Sequence, residues 1–191
     1  MAIAPQQATV DELIRRLDAA VGAPDDATRC RNVKSVLTEV VRSGQSFVPE
    51  SFMRAATGQY ARRLLHRDPD GRYTALVMVW DRGQGTSLHD HAGMWCCECV
   101  YRGRIRVTSF SVTGGDPERD LVDFRQETVI HAGVGEAGAL IPPFEYHILE
   151  NADDAPTVTI HVYGGEMTHC HVFEPEAGRY RRRYKELVYT E

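Results

Sequence analysis

The sequence predicts a mainly β protein, a jelly-roll-like β-barrel preceded by N-terminal α-helices. Three observations carry this reading. From about residue 60, short β-rich apolar runs alternate with Gly, Pro and Asp turns at intervals of roughly 8–12 residues. Upstream of that point, apolar residues recur at helical spacing instead. No internal repeat, low-complexity tract or linker interrupts the chain, so residues 1–191 read as a single domain, helical over 1–57 and a barrel over 58–191.

The helical part starts with Thr9-Val10-Asp11-Glu12, which has capping-box spacing, Thr9 as N-cap and Glu12 reaching back. Leu13, Leu17 and Val21 then share one face. After a turn at 22–26, residues 27–43 predict a second helix with Val33, Val36, Leu37, Val40 and Val41 on one face and Gly44 as its C′ stop. Residues 50–56 add one or two helical turns. The strands are expected at 73–80, 96–101, 105–112, 127–131, 137–141, 157–163 and 170–173, with Asp70-Gly71 and Gly114-Gly115 as turns. The basic and aromatic stretch 179–189 reads as a solvated edge strand or tail.

Composition narrows the function. Lys plus Arg is 22 against 27 Asp plus Glu, a net charge of -5 without the basic excess of a nucleic-acid binder. No apolar run reaches the roughly 18 residues of a membrane span, and residues 1–9 have neither the basic nor the apolar region of a secretory signal. The cysteines, Cys30, Cys96, Cys97, Cys99 and Cys170, are odd in number and suit a reducing cytosol better than a disulfide framework. Cys97 and Cys99 read equally as small core residues. The expectation is a cytoplasmic protein, monomeric or weakly homo-oligomeric, that binds neither nucleic acid nor membrane.

The informative segment is Gly83-Gln84-Gly85-Thr86-Ser87-Leu88-His89-Asp90-His91. On a strand, His89 and His91 point to one face and aim both imidazoles at one point, as a metal requires. His147, in Pro142-Pro143-Phe144-Glu145-Tyr146-His147, follows 56 positions after His91, enough chain to cross a small barrel and return. Nitrogen ligands suit Fe, Zn, Cu or Ni, so the histidines alone do not choose the metal. His66 and His131 have no such context. Arg62 offers a planar fork that fits a carboxylate, and Tyr60 shares its face. Arg63 points the other way if the segment is extended.

Gly83, His89, His91, position 96 and Gly103 have the spacing of the first cupin motif, and His147 with Asn151 that of the end of the second. Most cupins place a metal-binding glutamate at position 96, where this chain has Cys96. Together with Tyr60-Ala61-Arg62, His161-Val162-Tyr163, and Cys170-His171 followed by Phe173, this resembles the thiol dioxygenase branch of the cupins, specifically the cysteine dioxygenases, over roughly residues 58–175. The resemblance implies Fe(II) on His89, His91 and His147, with a small-molecule thiol and O2 as reactants. It implies that Arg62 grips the substrate carboxylate beside Tyr60, and that Cys96 and Tyr163 form a thioether cross-link with the Tyr163 hydroxyl facing the substrate. His161 would then bond Tyr163, with Thr159 completing the relay. The implied reaction converts L-cysteine and O2 to cysteine sulfinic acid, a step of cysteine catabolism and of taurine and sulfur metabolism. Three imidazoles in place of two plus a carboxylate leave a metal more positive and readier for a thiolate.

Two departures from the family pattern stand out. Gly164-Gly165 follows Tyr163 where mammalian-type members have Ser-Pro. Trp95 precedes Cys96 where a smaller or polar residue is common, and on a strand it points away from Cys96 into core. The branch acting on 3-mercaptopropionate typically has Gln at Arg62 and Gly at Cys96, so this chain sides with the cysteine branch. Other carboxylated thiols (3-mercaptopropionate, mercaptosuccinate) stay open, as does a non-enzymatic metal-binding cupin.

Overall fold

The computed structural model describes residues 9–191. Helices α1 (Val10–Val21) and α2 (Asp26–Arg42) lead, followed by a 3-10 turn over Glu50–Met53. Thr9 caps α1 by accepting from the Glu12 backbone N–H at 3.1 Å. The reciprocal half of the capping box is not made, because the Glu12 carboxylate is taken by Arg15 at 2.9 and 2.7 Å. Asp25 caps α2 through Thr28 N, so this helix starts one residue earlier than its periodicity suggests. Gly44 ends it with φ +72°, a left-handed turn that a side chain disfavours.

Eleven strands follow among the described residues: β1 (Ala61–Arg67), β2 (Thr74–Trp80), β3 (Leu88–His89), β4 (Cys96–Arg102), β5 (Ile105–Gly115), β6 (Leu121–Ala132), β7 (Ala137–Leu140), β8 (His147–Asn151), β9 (Thr157–Tyr163), β10 (His169–Glu176) and β11 (Arg179–Glu186). They form a five-stranded sheet in the order β1-β2-β9-β4-β7 and a closed ring β10-β11-β6-β5-β8-β3. The fold is thus mainly β, a cupin-type barrel preceded by two helices.

The central strands β2 and β9 of the five-stranded sheet are buried along their whole length, which explains the unbroken apolar run of β2. Strand alternation sorts the residues. Ala75, Val77, Val79, Cys97, Cys99, Val158, Ile160 and Val162 pack outward with Leu13, Leu17, Val33 and Leu37 of the helices. Leu76, Cys96 and Tyr163 turn inward, as do Met78, Trp80 and Val100. Fully burying each Leu or Val on the helix layer contributes about 1.5–3 kcal/mol. Cys97 and Cys99 therefore belong to the helix-facing core, and so does Trp95.

Two expectations need correction. The segment carrying Arg62 is itself the first strand, hidden in the sequence by its charges. Arg62 is 4% exposed. Arg63, on the opposite face, donates to the Phe52 and Arg54 carbonyls at 3.1 and 2.6 Å. The stretch 179–189 is neither an edge nor a free tail. Its strand β11 lies between β10 and β6 inside the closed ring, because Arg179, Arg181 and Arg183 spend their charge on Asp123, Asp120, Glu176 and Glu174 of neighbouring segments.

Candidate active site

The three histidines arrive from two places. His89 ends the short strand β3, opposite His147 at the start of β8. His91 lies just beyond β3 rather than on it, so alternation alone does not aim it. A web around Asp90 does. Asp90 accepts from His171 N at 2.8 Å, Ala92 N at 3.1 Å and His171 Nδ1 at 2.9 Å, clamping the loop to β10. This gives Cys170-His171 a structural reason.

The ligand-capable atoms of His89, His91 and His147 lie within 4.8 Å of one another, and all three residues are buried. The Nδ1 of His89 donates to Ser87 O at 3.0 Å. The Nδ1 of His91 faces Glu145 Oε2 at 3.2 Å, and the same oxygen accepts from His91 N at 2.9 Å. With each Nδ1 so engaged, the Nε2 lone pair is left for another partner. Both ring nitrogens of His147 are buried without a hydrogen-bond partner. Burial, reinforced by His91, pulls His89 down to about 3, and burial with the neighbouring imidazoles pulls His147 well below the usual range. Free imidazole nitrogens aimed together in a buried site fit a divalent metal.

Glu98 is a functional candidate that sequence reasoning missed. It is the one charged residue in the run Cys96-Cys97-Glu98-Cys99-Val100, and alternation from Cys96 places it on the inner face. Its carboxylate lies 3.8 Å from His147 Nδ1 and 3.7 Å from His161 Nδ1, and its Oε2 has no hydrogen-bond partner. Burial raises it to about 8. Cys96, Glu98 and His161 form a second cluster within 4.8 Å. That set fits a metal less well, because both nitrogens of His161 are engaged and burial holds the Cys96 thiol far above its usual value.

A chain of polar contacts runs past this cluster. Trp80 Nε1 donates to Thr159 Oγ1 at 2.8 Å, and Thr159 Oγ1 shares a hydrogen bond with His161 Nε2 at 2.8 Å. His161 Nδ1 lies 3.3 Å from the Tyr163 hydroxyl, which donates to Met78 Sδ at 3.8 Å. Tyr163 is directly opposite Cys96 across the β4–β9 ladder. Burial, with the Cys96 thiol beside it, pushes the phenol well above its usual range, so it stays protonated.

One cavity collects the predicted residues: Tyr60, Arg62, His161 and Tyr163 line it together with the three histidines. Cys96 stands behind Tyr163. The Arg62 Nη2 donates to Met167 O at 2.6 Å, and its guanidinium carbon lies 4.9 Å from the Tyr189 ring centroid. The rest of the guanidinium makes no hydrogen bond among the described residues, and Arg62 lines the cavity. Tyr60 stacks on Trp80 with centroids 4.6 Å apart. Lys185 and Leu187, in the stretch taken for a tail, complete the far wall.

The two departures turn out to be one feature. A Cβ at Gly164 would stand 2.3 Å from Trp95 Nε1, so the indole occupies the space that a side chain after Tyr163 would need.

Fold and site together define a cupin-type barrel with a three-histidine centre and an arginine at its side. The chain belongs to the family described as cysteine dioxygenase type I, whose model matches residues 7–176. It is 24% identical to cysteine dioxygenase type 1 of Homo sapiens over 121 residues, 63% of this chain and 58% of that one. The match therefore spans less than two thirds of the human relative. It is 22% identical to the Danio rerio cysteine dioxygenase type 1 over 176 residues, 90% of this chain and 82% of that one. Among solved structures, a double-stranded beta-helix domain protein from Klebsiella pneumoniae aligns with a TM-score of 0.49 at 16% identity, covering 64% of this chain and 91% of that one. The Schizosaccharomyces pombe Cnp3 cupin domain aligns with a TM-score of 0.45 at 12% identity, covering 63% and 69%. Among the described residues, no helix is long and apolar enough to cross a membrane.

Proposed function

We propose that this protein is a non-haem Fe(II) thiol dioxygenase that converts a small carboxylated thiol and O2 to the sulfinic acid. L-cysteine is the substrate that the Arg62, Cys96 and Tyr163 set matches. The observation that carries the reading is the convergence of three free imidazole nitrogens, the Arg62 fork and the Tyr163 phenol on one cavity. His89, His91 and His147 hold the iron, which when bound supplies the redox chemistry that joins O2 to sulfur.

The rest of the work falls to the chain. Arg62 takes the substrate carboxylate with its free N–H groups, its own position fixed by Met167 O and Tyr189. Tyr60 adds a hydroxyl from the same strand end. Tyr163 presents a protonated phenol to the reacting atoms. Thr159 and His161 hold that phenol in place through the chain of hydrogen bonds that starts at Trp80. Glu145 orients the His91 imidazole from behind. The barrel buries the three histidines at its centre. Joining Cys96 Sγ to the Tyr163 ring, with the thiol hydrogen and one ring hydrogen passing to O2, would lock the phenol further. Their facing register supports it, and an intact mass lower by two hydrogen atoms is its signature.

All five cysteines are free and buried, which supports a reducing cytoplasmic setting and a place in cysteine catabolism and sulfur metabolism. The reading takes the chain as one domain acting as a monomer or weak homo-oligomer. The test is O2 uptake by the anaerobically Fe(II)-loaded protein with L-cysteine, 3-mercaptopropionate, mercaptosuccinate and cysteamine, with the product identified by mass. Sulfinate formation from a carboxylated thiol, with cysteamine poor, is expected. No thiol-dependent uptake in a verified iron-loaded sample overturns the reading and leaves a metal-binding cupin.

A further inference from the structure

The cavity wall holds a cation that the mechanism above does not use. Lys185 on β11 stands opposite Cys170 on β10, and both side chains line the cavity with His89. The Lys185 Nζ lies 5.9 Å from the Tyr60 ring centroid, and Tyr60 is two residues from Arg62. Three arginines of β11 are held by acids, Arg179 by Asp123, Arg181 by Asp120 and Glu176, and Arg183 by Glu174, while Arg182 Nη2 lies 3.0 Å from His171 Nδ1. Lys185 has no hydrogen bond or ion pair among the described residues.

The lining of this cavity contains Arg62 and Lys185 and no Asp or Glu. Burial raises the Cys170 thiol to about 11, the Asp90 carboxylate adds to the rise, and the Lys185 and Arg62 charges pull against it. A wall with two positive charges and no carboxylate attracts a second anionic group beside the one held by Arg62. Lys185 is exposed at the mouth, so a second anionic group meets it there without needing buried volume.

We propose that Lys185 forms a second anion subsite at the cavity mouth, and that thiols bearing two carboxylates are a substrate class of this site, one carboxylate on Arg62 and the other on Lys185. This rests on the thiol dioxygenase reading for its chemistry, while the subsite itself is testable by binding alone. 3-Mercaptopropionate and mercaptosuccinate differ by one carboxylate, as do propionate and succinate, and these pairs isolate the added charge. Two readouts are taken on the iron-loaded protein: anaerobic calorimetry with succinate and propionate, and sulfinate formation from the two thiols.

Succinate is expected to bind more tightly than propionate. Lys185→Gln is expected to cut that advantage, and the kcat/KM ratio of mercaptosuccinate to 3-mercaptopropionate, by about three- to ten-fold, with Lys185→Arg retaining most of both. Equal binding of succinate and propionate, or an advantage that survives Lys185→Gln, overturns the subsite. Oxidation of thiols with no dicarboxylate preference sinks the subsite and leaves the dioxygenase. A Lys185-dependent succinate advantage with no thiol oxidised keeps the subsite and removes the dioxygenase.

Discussion

The contact between Gly164 and Trp95 lends itself to a quantitative test. Gly164 directly follows Tyr163, and its N–H donates to the Trp95 carbonyl at 2.9 Å. Its backbone is not in the left-handed region, so alanine there costs nothing in φ. It costs space instead: the new methyl would stand 2.3 Å from Trp95 Nε1 and 2.7 Å from both Cδ1 and Cε2. Trp95 is 6% exposed and packed under the helices, so the ring cannot swing into solvent. Overpacking of this kind costs about 1–3 kcal/mol. Trp95→Ala alone forfeits a large buried side chain, about 3–5 kcal/mol. In the double variant the methyl has room, so the two costs do not add, and a coupling of about 1–3 kcal/mol is expected. Urea denaturation of the four proteins measures it. Costs that simply add would refute the steric argument and separate the two departures again. The clash also pushes on the residue before Gly164, so Gly164→Ala should depress activity more than metal content.

Other outcomes follow from the same geometry. Glu145→Gln removes the charge behind His91 and should weaken metal affinity about 10–100-fold, read by competition with a chelator; unchanged affinity would remove Glu145 from the metal's support. His147→Ala should lose metal while Tyr163→Phe keeps it and loses most activity, and equal metal content in His147→Ala and the parent would take His147 out of the ligand set. Asp68 is 1% exposed and accepts from Arg72 N, Nε and Nη2 at 2.8, 2.9 and 2.6 Å, bonds that hold its carboxyl below the usual range. A depressed carboxyl stabilises the fold fully above the unfolded value of about 3.9 and loses that contribution as pH falls through the folded one. Asp68→Asn should therefore cost about 1–3 kcal/mol at neutral pH and flatten the acid limb of a stability–pH curve. An unchanged acid limb would show that the carboxyl is not linked to folding.

The helices and the buried sheet were legible because their physics is local. Capping chemistry at Thr9, the stop at Gly44 and the apolar runs of β2, β4 and β9 can each be read within a few residues. The three histidines were legible through spacing, although His91 reaches its place through Asp90 rather than strand alternation. What stayed hidden depends on partners distant in sequence. Strand β1 is masked by arginines whose burial needs the carbonyls of Phe52, Arg54 and Met167. Strand β11 looks solvated until its arginines meet acids on other strands. Glu98 looks like an ordinary charge until β9 and β8 bring His161 and His147 beside it.

The clasp between β1 and the residues after β11 has a consequence for the order in which the site is made. Thr190 N donates to the Arg62 carbonyl at 2.8 Å, Arg62 N donates to Thr190 Oγ1 at 3.0 Å, and Tyr189 lies against the Arg62 guanidinium. Translation delivers His89, His91 and His147 well before residues 185–190. An emerging chain thus contains all three clustered histidines before the wall that steadies Arg62 has been made. Under the proposed function, the candidate ligands are synthesised first, and the place for the substrate is finished by the last residues of the barrel.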